Sequence, residues 1–96
     1  MVTLADIRQK REIILSIAHS HGADNIRIFG SILQGTANEN SDLDLLVQMK
    51  PDSSLIDRIA MMQELEDVLH IKVDVINERA LHAAIRQSVL EQGVPL

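Results

Sequence analysis

Several residue types are scarce or missing in this sequence, and each absence excludes a class of protein. The 96 residues include no cysteine, tyrosine or tryptophan, and Phe29 is the single aromatic residue. Without cysteine, disulfide frameworks and thiolate zinc sites are excluded. With one aromatic ring, base stacking on exposed side chains is nearly impossible. Nine Lys and Arg stand against fourteen Asp and Glu, so no broad nucleic-acid-binding surface is expected.

Long hydrophobic runs are also missing. No stretch approaches the roughly 20 apolar residues of a membrane span, and the N-terminal residues lack a signal-peptide pattern. The composition, 46% hydrophobic and 24% charged, is ordinary for a folded soluble protein. A chain of this length can build one hydrophobic core, so we expect a single domain over 1–96 in the cytoplasm.

The apolar residues recur with two different periods. Helical spacing predicts three helices, which are 3–20, a helix capped by Ser53 or Ser54, and a helix capped by Asn77. Alternation and β-branched runs predict three strands, over 25–29, 41–49 and 71–76. Strands that alternate with helices indicate an α/β fold, with helices packed on a small β-sheet.

The helices carry recognisable boundaries and faces. Thr3 and Asp6 form a capping-box pattern, and Gly22 is a stop signal for the first helix. The last helix is expected to end before Gly93. One face of the second helix is expected to be apolar, and its members are Leu55, Ile59, Met62, Leu65 and Leu69.

Two acidic residues stand in an otherwise apolar strand. Asp42 and Asp44 are separated by one residue, so they point to the same face of the strand about 6–7 Å apart, while Leu43 and Leu45 face the core. Asp is disfavoured in strands, and like charges on one face repel. Asp74 is a third acid, between two valines of the following strand. Three carboxylates on neighbouring strands suit Mg²⁺, whereas a scattered pair of surface acids is the plainer alternative.

A glycine and a serine follow the first predicted strand. Gly30 and Ser31 precede Ile32-Leu33-Gln34, which suggests a short helix beginning at Ser31 and ending at Gly35. The free N–H groups at its start would face an anion, and Gly30 would let a phosphate approach the backbone. The Walker pattern is absent, and a glycine-serine pair alone is an ordinary turn.

Taken together, these motifs resemble a known family. Gly30-Ser31, ten further residues, and then Asp42-Leu43-Asp44 reproduce the G-S-x10-D-x-D signature of the DNA polymerase β nucleotidyltransferase superfamily, and Asp74 fits its third acid. The segments IRIFGS and SDLDLLV are similar to its smallest members, the minimal nucleotidyltransferases (MNT domains). The similarity covers nearly the whole chain.

This resemblance implies a mixed sheet and a set of functional residues. Gly30 and Ser31 would contact the triphosphate of ATP. Asp42, Asp44 and Asp74 would hold two Mg²⁺ ions and provide the catalytic carboxylates. Many relatives have an arginine where this chain has Gln34, and a glutamine there would bind the triphosphate more weakly.

The resemblance also implies a partner. Family members of this size are often paired with a helical HEPN toxin, and some act as antitoxins by adenylylating a tyrosine on it. The leading hypothesis is transfer of AMP to a partner's hydroxyl group. One rival is an antitoxin that acts by contact alone, with a vestigial site. Another is transfer to a small molecule, which would need an acceptor domain that we do not expect here.

Other residues have simpler interpretations. The four histidines lack metal-ligand spacing and are expected at the surface or at helix ends: His19, His21, His70 and His82. Arg27 is expected to be solvated. The segment 94–96 has no obvious place in the interior, so it is expected to contact a partner protein.

Overall fold

The chain alternates helices and strands, as its periodicity predicts. A computed structural model describes residues 2–35 and 42–96, apart from the side chains of Gln34 and Ile85. In chain order the elements are α1 (Leu4–Gln9), α2 (Arg11–Ser20), β1 (Ala23–Phe29), α3 (Ser31–Gln34), β2 (Leu43–Met49), α4 (Leu55–Leu69), β3 (Val73–Asn77), a 3-10 turn (Glu78–Ala80), α5 (Ala83–Gln92) and β4 (Val94–Pro95).

The four strands form one mixed sheet in the order β3-β2-β1-β4. β2 is parallel to β3, and β1 is antiparallel to both β2 and β4. A parallel pair needs a crossover connection, and α4 provides it between β2 and β3. The predicted mixed sheet with packed helices is therefore confirmed.

The two faces of the sheet differ in character. On the first face β2 contributes a fully buried row to the main core, as predicted for two of its members: Leu43, Leu45, Val47 and Met49. The helices α1, α2 and α4 add their own buried residues to this core, including Ile7, Ile14 and Met61. On the second face β2 places Asp44, Leu46 and Gln48, so this face holds the acids of the site.

Local sequence signals fix most element boundaries. Thr3 accepts a hydrogen bond from the backbone of Asp6, whose carboxylate accepts one in return, so the predicted capping box is present. Ser54, rather than Ser53, caps α4 in the same way, with Asp57 as its partner. Each box satisfies backbone N–H groups that have no partner within the helix.

The outer edge of β3 is covered by side chains of α4. The Val73 N–H donates to the Glu66 carboxylate at 2.9 Å, and the Val75 carbonyl accepts from Arg58 Nη1 at 3.1 Å. An edge strand leaves such backbone groups unpaired unless something else bonds them. Glu66 and Arg58 therefore support the edge of the sheet from α4.

Some predicted features of the helices are wrong. The predicted helix over 3–20 is divided at Lys10, whose backbone leaves the helical region with φ −102° and ψ 17°. Asn77 caps the 3-10 turn, and His82 is the residue before α5. On α4, Met61 is buried in the core, while Leu55 and Ile59 are exposed, because the helix turns a neighbouring stripe toward the sheet.

The C-terminal segment also differs from its prediction. Val94 and Pro95 form β4 against β1, and the Leu96 side chain is only 7% exposed. The Leu96 N–H donates to the Ile26 carbonyl at 3.0 Å, and the Leu96 carbonyl accepts from Arg11 Nε at 3.0 Å. The segment therefore has an internal place, which removes the reason given for assigning it to a partner contact.

Candidate active site

The sheet brings two of the three acids into direct register. Asp44 lies opposite Asp74 in the parallel pairing of β2 with β3. Neighbouring strands are about 4.8 Å apart, and paired residues point to the same face, so these two carboxylates are close neighbours. Asp42 lies one residue before β2 and is half-buried, as is Asp44, while Asp74 is exposed. The structure thus places the three predicted acids at one end of the sheet.

The glycine at the end of β1 lies against Asp44. Phe29 is paired with Asp44 across β1 and β2, so Gly30 begins the turn directly beside that acid. A Cβ atom on Gly30 would overlap Asp44 Oδ2, and the backbone at Gly30 has φ +82° and ψ −156°. Both constraints require glycine, because other residues rarely adopt this backbone conformation. The Gly30 turn and the Asp44 carboxylate therefore form one packed unit.

The predicted short helix after Gly30 is present. It spans Ser31–Gln34, and Gly35 ends it in the left-handed conformation with φ +75°. Ser31 is half-buried at its first position. The backbone of Gln34 belongs to the helix, but its side chain lies outside the described part of the chain, so its predicted contact with a triphosphate stays a prediction.

Negatively charged carboxylates lie close together in the candidate site. The pKa of Asp44 is raised above its ordinary value, first by partial burial, then by the charge of Asp74, and then by that of Asp42. Both effects disfavour the ionised carboxylate. Among the described residues, no Lys or Arg forms an ion pair with any of these acids.

The acids are gathered without forming a closed cage. Within residues 2–35 and 42–96, no three Asp, Glu or His side chains converge closely enough to enclose a metal ion as they stand. Three carboxylates on one face, one of them destabilised by its neighbours, nevertheless provide the hard oxygen donors that Mg²⁺ prefers. In donor chemistry the residues fit a magnesium site, and the ligand assignment stays a prediction.

The histidines have the peripheral positions expected of them. His21 contacts the Glu64 carboxylate at 2.6 Å between α2 and α4, and His70 ends α4 with φ +57°. His19 and His82 are exposed. None of these side chains belongs to the acidic cluster.

Arg27 is not solvated as expected. Its Nη1 donates to the Leu90 carbonyl near the end of α5 at 3.2 Å, and the side chain is half-buried. Arg27 points to the same face of β1 as Phe29, so this contact holds α5 over the second face of the sheet. The alternation of 25–29 predicts the face of Arg27, but it gives no sign of α5 as the partner.

Comparison with known proteins agrees with this geometry. Residues 11–96 match the family described as polymerase beta, nucleotidyltransferase. The chain belongs to that family. The predicted family membership and the predicted class of enzyme, a nucleotidyltransferase, are therefore confirmed.

Two related proteins match this chain over most of its length. A candidate protein adenylyltransferase of Methanocaldococcus jannaschii is 33% identical over 89 residues, which covers 93% of this chain and 96% of the relative. The protein adenylyltransferase MntA of Thermococcus cleftensis is 36% identical over 73 residues, which covers 76% of this chain and 74% of that protein.

Solved structures share the fold. A candidate minimal nucleotidyltransferase superposes with a TM-score of 0.89 at 40% identity, covering 99% of this chain and 97% of that one. A chain from a toxin–antitoxin complex with AMP-PNP gives a TM-score of 0.75 at 29% identity, covering 88% of this chain and 69% of that one. The predicted nucleotidyltransferase fold is thus confirmed.

Proposed function

We propose that this nucleotidyltransferase transfers AMP from ATP to a hydroxyl group on a partner protein. In this reaction the acceptor oxygen bonds to the α-phosphorus, pyrophosphate leaves, and the hydroxyl proton is lost to solvent. The observation that carries the proposal is the packing of the Gly30 turn against Asp44, with Asp74 in register beside it. That packing puts a backbone suited to phosphate next to the carboxylates.

Each site residue has a role in this proposal. Gly30 and Ser31 contact the triphosphate through the turn after β1, and Gln34 extends that contact as a neutral donor. Asp42, Asp44 and Asp74 hold Mg²⁺, with two ions expected. When bound, the metal neutralises the triphosphate and the leaving pyrophosphate and lowers the pKa of the acceptor hydroxyl.

The proposed partner is a helical toxin of the HEPN type, for which this chain would be the antitoxin. Support comes from relatives: one is named protein adenylyltransferase MntA, and one solved neighbour is part of a toxin–antitoxin complex with AMP-PNP. No helix of the described ranges is long and apolar enough to cross a bilayer. A cytoplasmic location and the lack of broad nucleic-acid binding belong to the same proposal.

The direct test is mass transfer to the partner. The chain is incubated with Mg²⁺, ATP and a purified HEPN-type protein, and intact-protein mass spectrometry follows both proteins. We expect the partner to gain the mass of one or more AMP groups. Asp42→Ala/Asp44→Ala should reduce the rate at least a hundredfold, because the metal and the triphosphate lose their main ligands. Asp52→Ala/Asp67→Ala removes two exposed acids elsewhere and should react like the wild type.

One observation favours an alternative, an antitoxin that acts by contact alone. Position 34 holds a glutamine, a neutral side chain that would bind the triphosphate more weakly than an arginine. Toxin neutralisation separates the two functions. If the Asp42→Ala/Asp44→Ala variant still neutralises the toxin fully and the wild type adds no AMP, the contact function replaces the proposed transfer.

A further inference from the structure

A groove lies outside the acidic site, on the side of the sheet that α1, α2 and α4 cover. It is formed where α1 meets α2 and is closed on one side by the second half of α4, and its volume is about 660 Å³. Its apolar surface comes from Ile13, which is 44% exposed, and from Val68. The break at Lys10 separates α1 from α2 and so opens the groove between them.

The rim of this groove carries an unusual charge for this protein. Three of the nine Lys and Arg residues of an acidic chain lie here, namely Arg8, Lys10 and Arg11. Of the described residues that line the groove Glu12 is the one acid, and Asp6 lies near enough to Lys10 for their charges to interact. Among the described residues, no ion pair involves the three cations, and Arg11 Nε donates only to the Leu96 carbonyl. Three cations against two acids leave the rim a net positive charge, which can attract an acidic ligand.

The apolar surface decides between the possible acidic ligands. A nucleic acid would require more cations and would gain little from Ile13 and Val68, because its backbone is polar throughout. A protein segment that places an apolar side chain between acidic ones would satisfy both the basic rim and the apolar surface. Charged rims around an apolar centre are the usual arrangement of protein interfaces.

The groove is connected to the active end of the sheet. The residues after Val68 leave α4 and lead through Ile71 into β3, where Asp74 is the second residue. Leu69 and Ile71 line a smaller cavity of about 250 Å³ together with Lys10. The groove therefore lies toward the same end of the sheet as the acids, but on the side covered by the helices rather than on the face that carries the acids.

We propose that this groove is the docking site for an acidic segment of a partner protein, centred on an apolar side chain. The segment anchors the partner near the acidic site, so that docking and transfer use different residues. The inference rests on the proposed function only in taking the docked protein as the acceptor. Binding itself needs neither ATP nor metal.

The test uses a labelled helical peptide with a stripe of leucines flanked by glutamates. Fluorescence anisotropy measures its binding to the metal-free chain, and amide chemical shifts locate it. We expect saturable binding with shifts in α1, α2 and the second half of α4. Arg8→Glu/Lys10→Glu should weaken binding at least tenfold, and Ile13→Ser should weaken it without a change of charge. Lys50→Glu/Arg79→Glu reverses two exposed cations outside the groove and should leave affinity unchanged.

Three results would overturn the assignment. They are absence of saturable binding, equal affinity for a control peptide with lysines in place of the glutamates, and tighter binding of a single-stranded RNA of equal charge. Thermal melts of every variant show whether it is folded, and Ile13→Ser keeps the test valid if charge reversal unfolds α1. Because the peptide assay contains no ATP, its failure is independent of any failure of AMP transfer.

Discussion

At the scale of single residues, the Asp44 carboxylate lowers the stability of the fold around it. Its pKa is raised by burial and by two neighbouring acids, so the folded chain holds this proton more tightly than the unfolded chain does. Wherever the folded state binds more protons, the free energy of unfolding falls as pH rises. The cost begins as pH rises above the ordinary value of 3.8 and is complete above the raised pKa.

Replacing Asp44 should therefore stabilise the metal-free protein. We expect Asp44→Asn to raise the melting temperature at pH 7 by roughly 1–4 °C, since screening by solvent keeps the energy below that of a buried pair. The gain should shrink as pH falls and vanish below pH 3.8, where the carboxyl is protonated in both states. Melting curves in EDTA across this pH range measure it, with the exposed Asp52→Asn as control. A variant that is less stable than the wild type at pH 7 would contradict the account.

At the scale of an element, the turn from β1 to α3 combines backbone shape with side-chain packing. Gly30 and Gly35 both have positive φ, but only Gly30 has a side chain in the space that a Cβ would need. At Gly35 nothing lies within 4 Å of that position. A side chain at Gly35 would therefore cost stability through backbone conformation alone. A side chain at Gly30 would also displace Asp44.

Alanine at each glycine tests this separation. Gly35→Ala should cost about 1 kcal/mol of unfolding free energy, the usual cost of a left-handed alanine. Gly30→Ala should cost more, about 1–3 kcal/mol, and should also abolish stabilisation by Mg²⁺ and ATP, because Asp44 is displaced. Urea unfolding with and without Mg²⁺-ATP measures both. Equal loss of the ligand effect in the two variants would show that Asp44 is not involved.

The elements also show what the sequence could and could not predict. The alternation of residues in β2 and β3 predicted which side chains face the core and which point, like Asp44 and Asp74, to the other face. A period of two residues allows only these two directions. On α4 the adjacent residues Met61 and Met62 belong to two overlapping stripes, and only packing on the sheet selects Met61. The break at Lys10 has no local signal, since its neighbours are good helix formers.

The sequence alone could not predict how segments far apart in the chain pair with one another. Asp44 and Asp74 were expected on neighbouring strands, but their register depends on the path of the crossover through α4. The proposed site residues could be named from the sequence because their motif is local, with Gly30 and Asp42 close in the chain. The place of Leu96 depends on contacts with Arg11 and Ile26, far away in sequence, and so was missed.

At the scale of the whole molecule, the first and last segments are joined. The radius of gyration of 12.6 Å is what about 96 residues in one domain should have. Leu96 lies in the main core cluster with Ile7 and Ile14, and its carbonyl accepts from Arg11. The end of the chain described here is thus part of the folding unit.

Truncating Leu96 should therefore affect the whole fold. Leu96→Ala is expected to lower the free energy of unfolding by about 2 kcal/mol, which is at the lower end of the range for buried leucines. The melting temperature should fall by roughly 10 °C. Leu55→Ala is the matched control, because that leucine is 59% exposed and should cost almost nothing. Calorimetry of both variants measures the difference. Equal melting temperatures would mean that the C-terminal strand is dispensable.

The covered edge of β3 has a consequence for self-association. Glu66 bonds the Val73 N–H and Arg58 bonds the Val75 carbonyl, two groups that an incoming strand would need, so sheet extension into cross-β aggregates is hindered on that side. At the opposite edge lies β4, Val94–Pro95, and its proline has no N–H to donate. With two groups engaged at one edge and a proline at the other, strand pairing between copies of the chain is disfavoured even at high protein concentration.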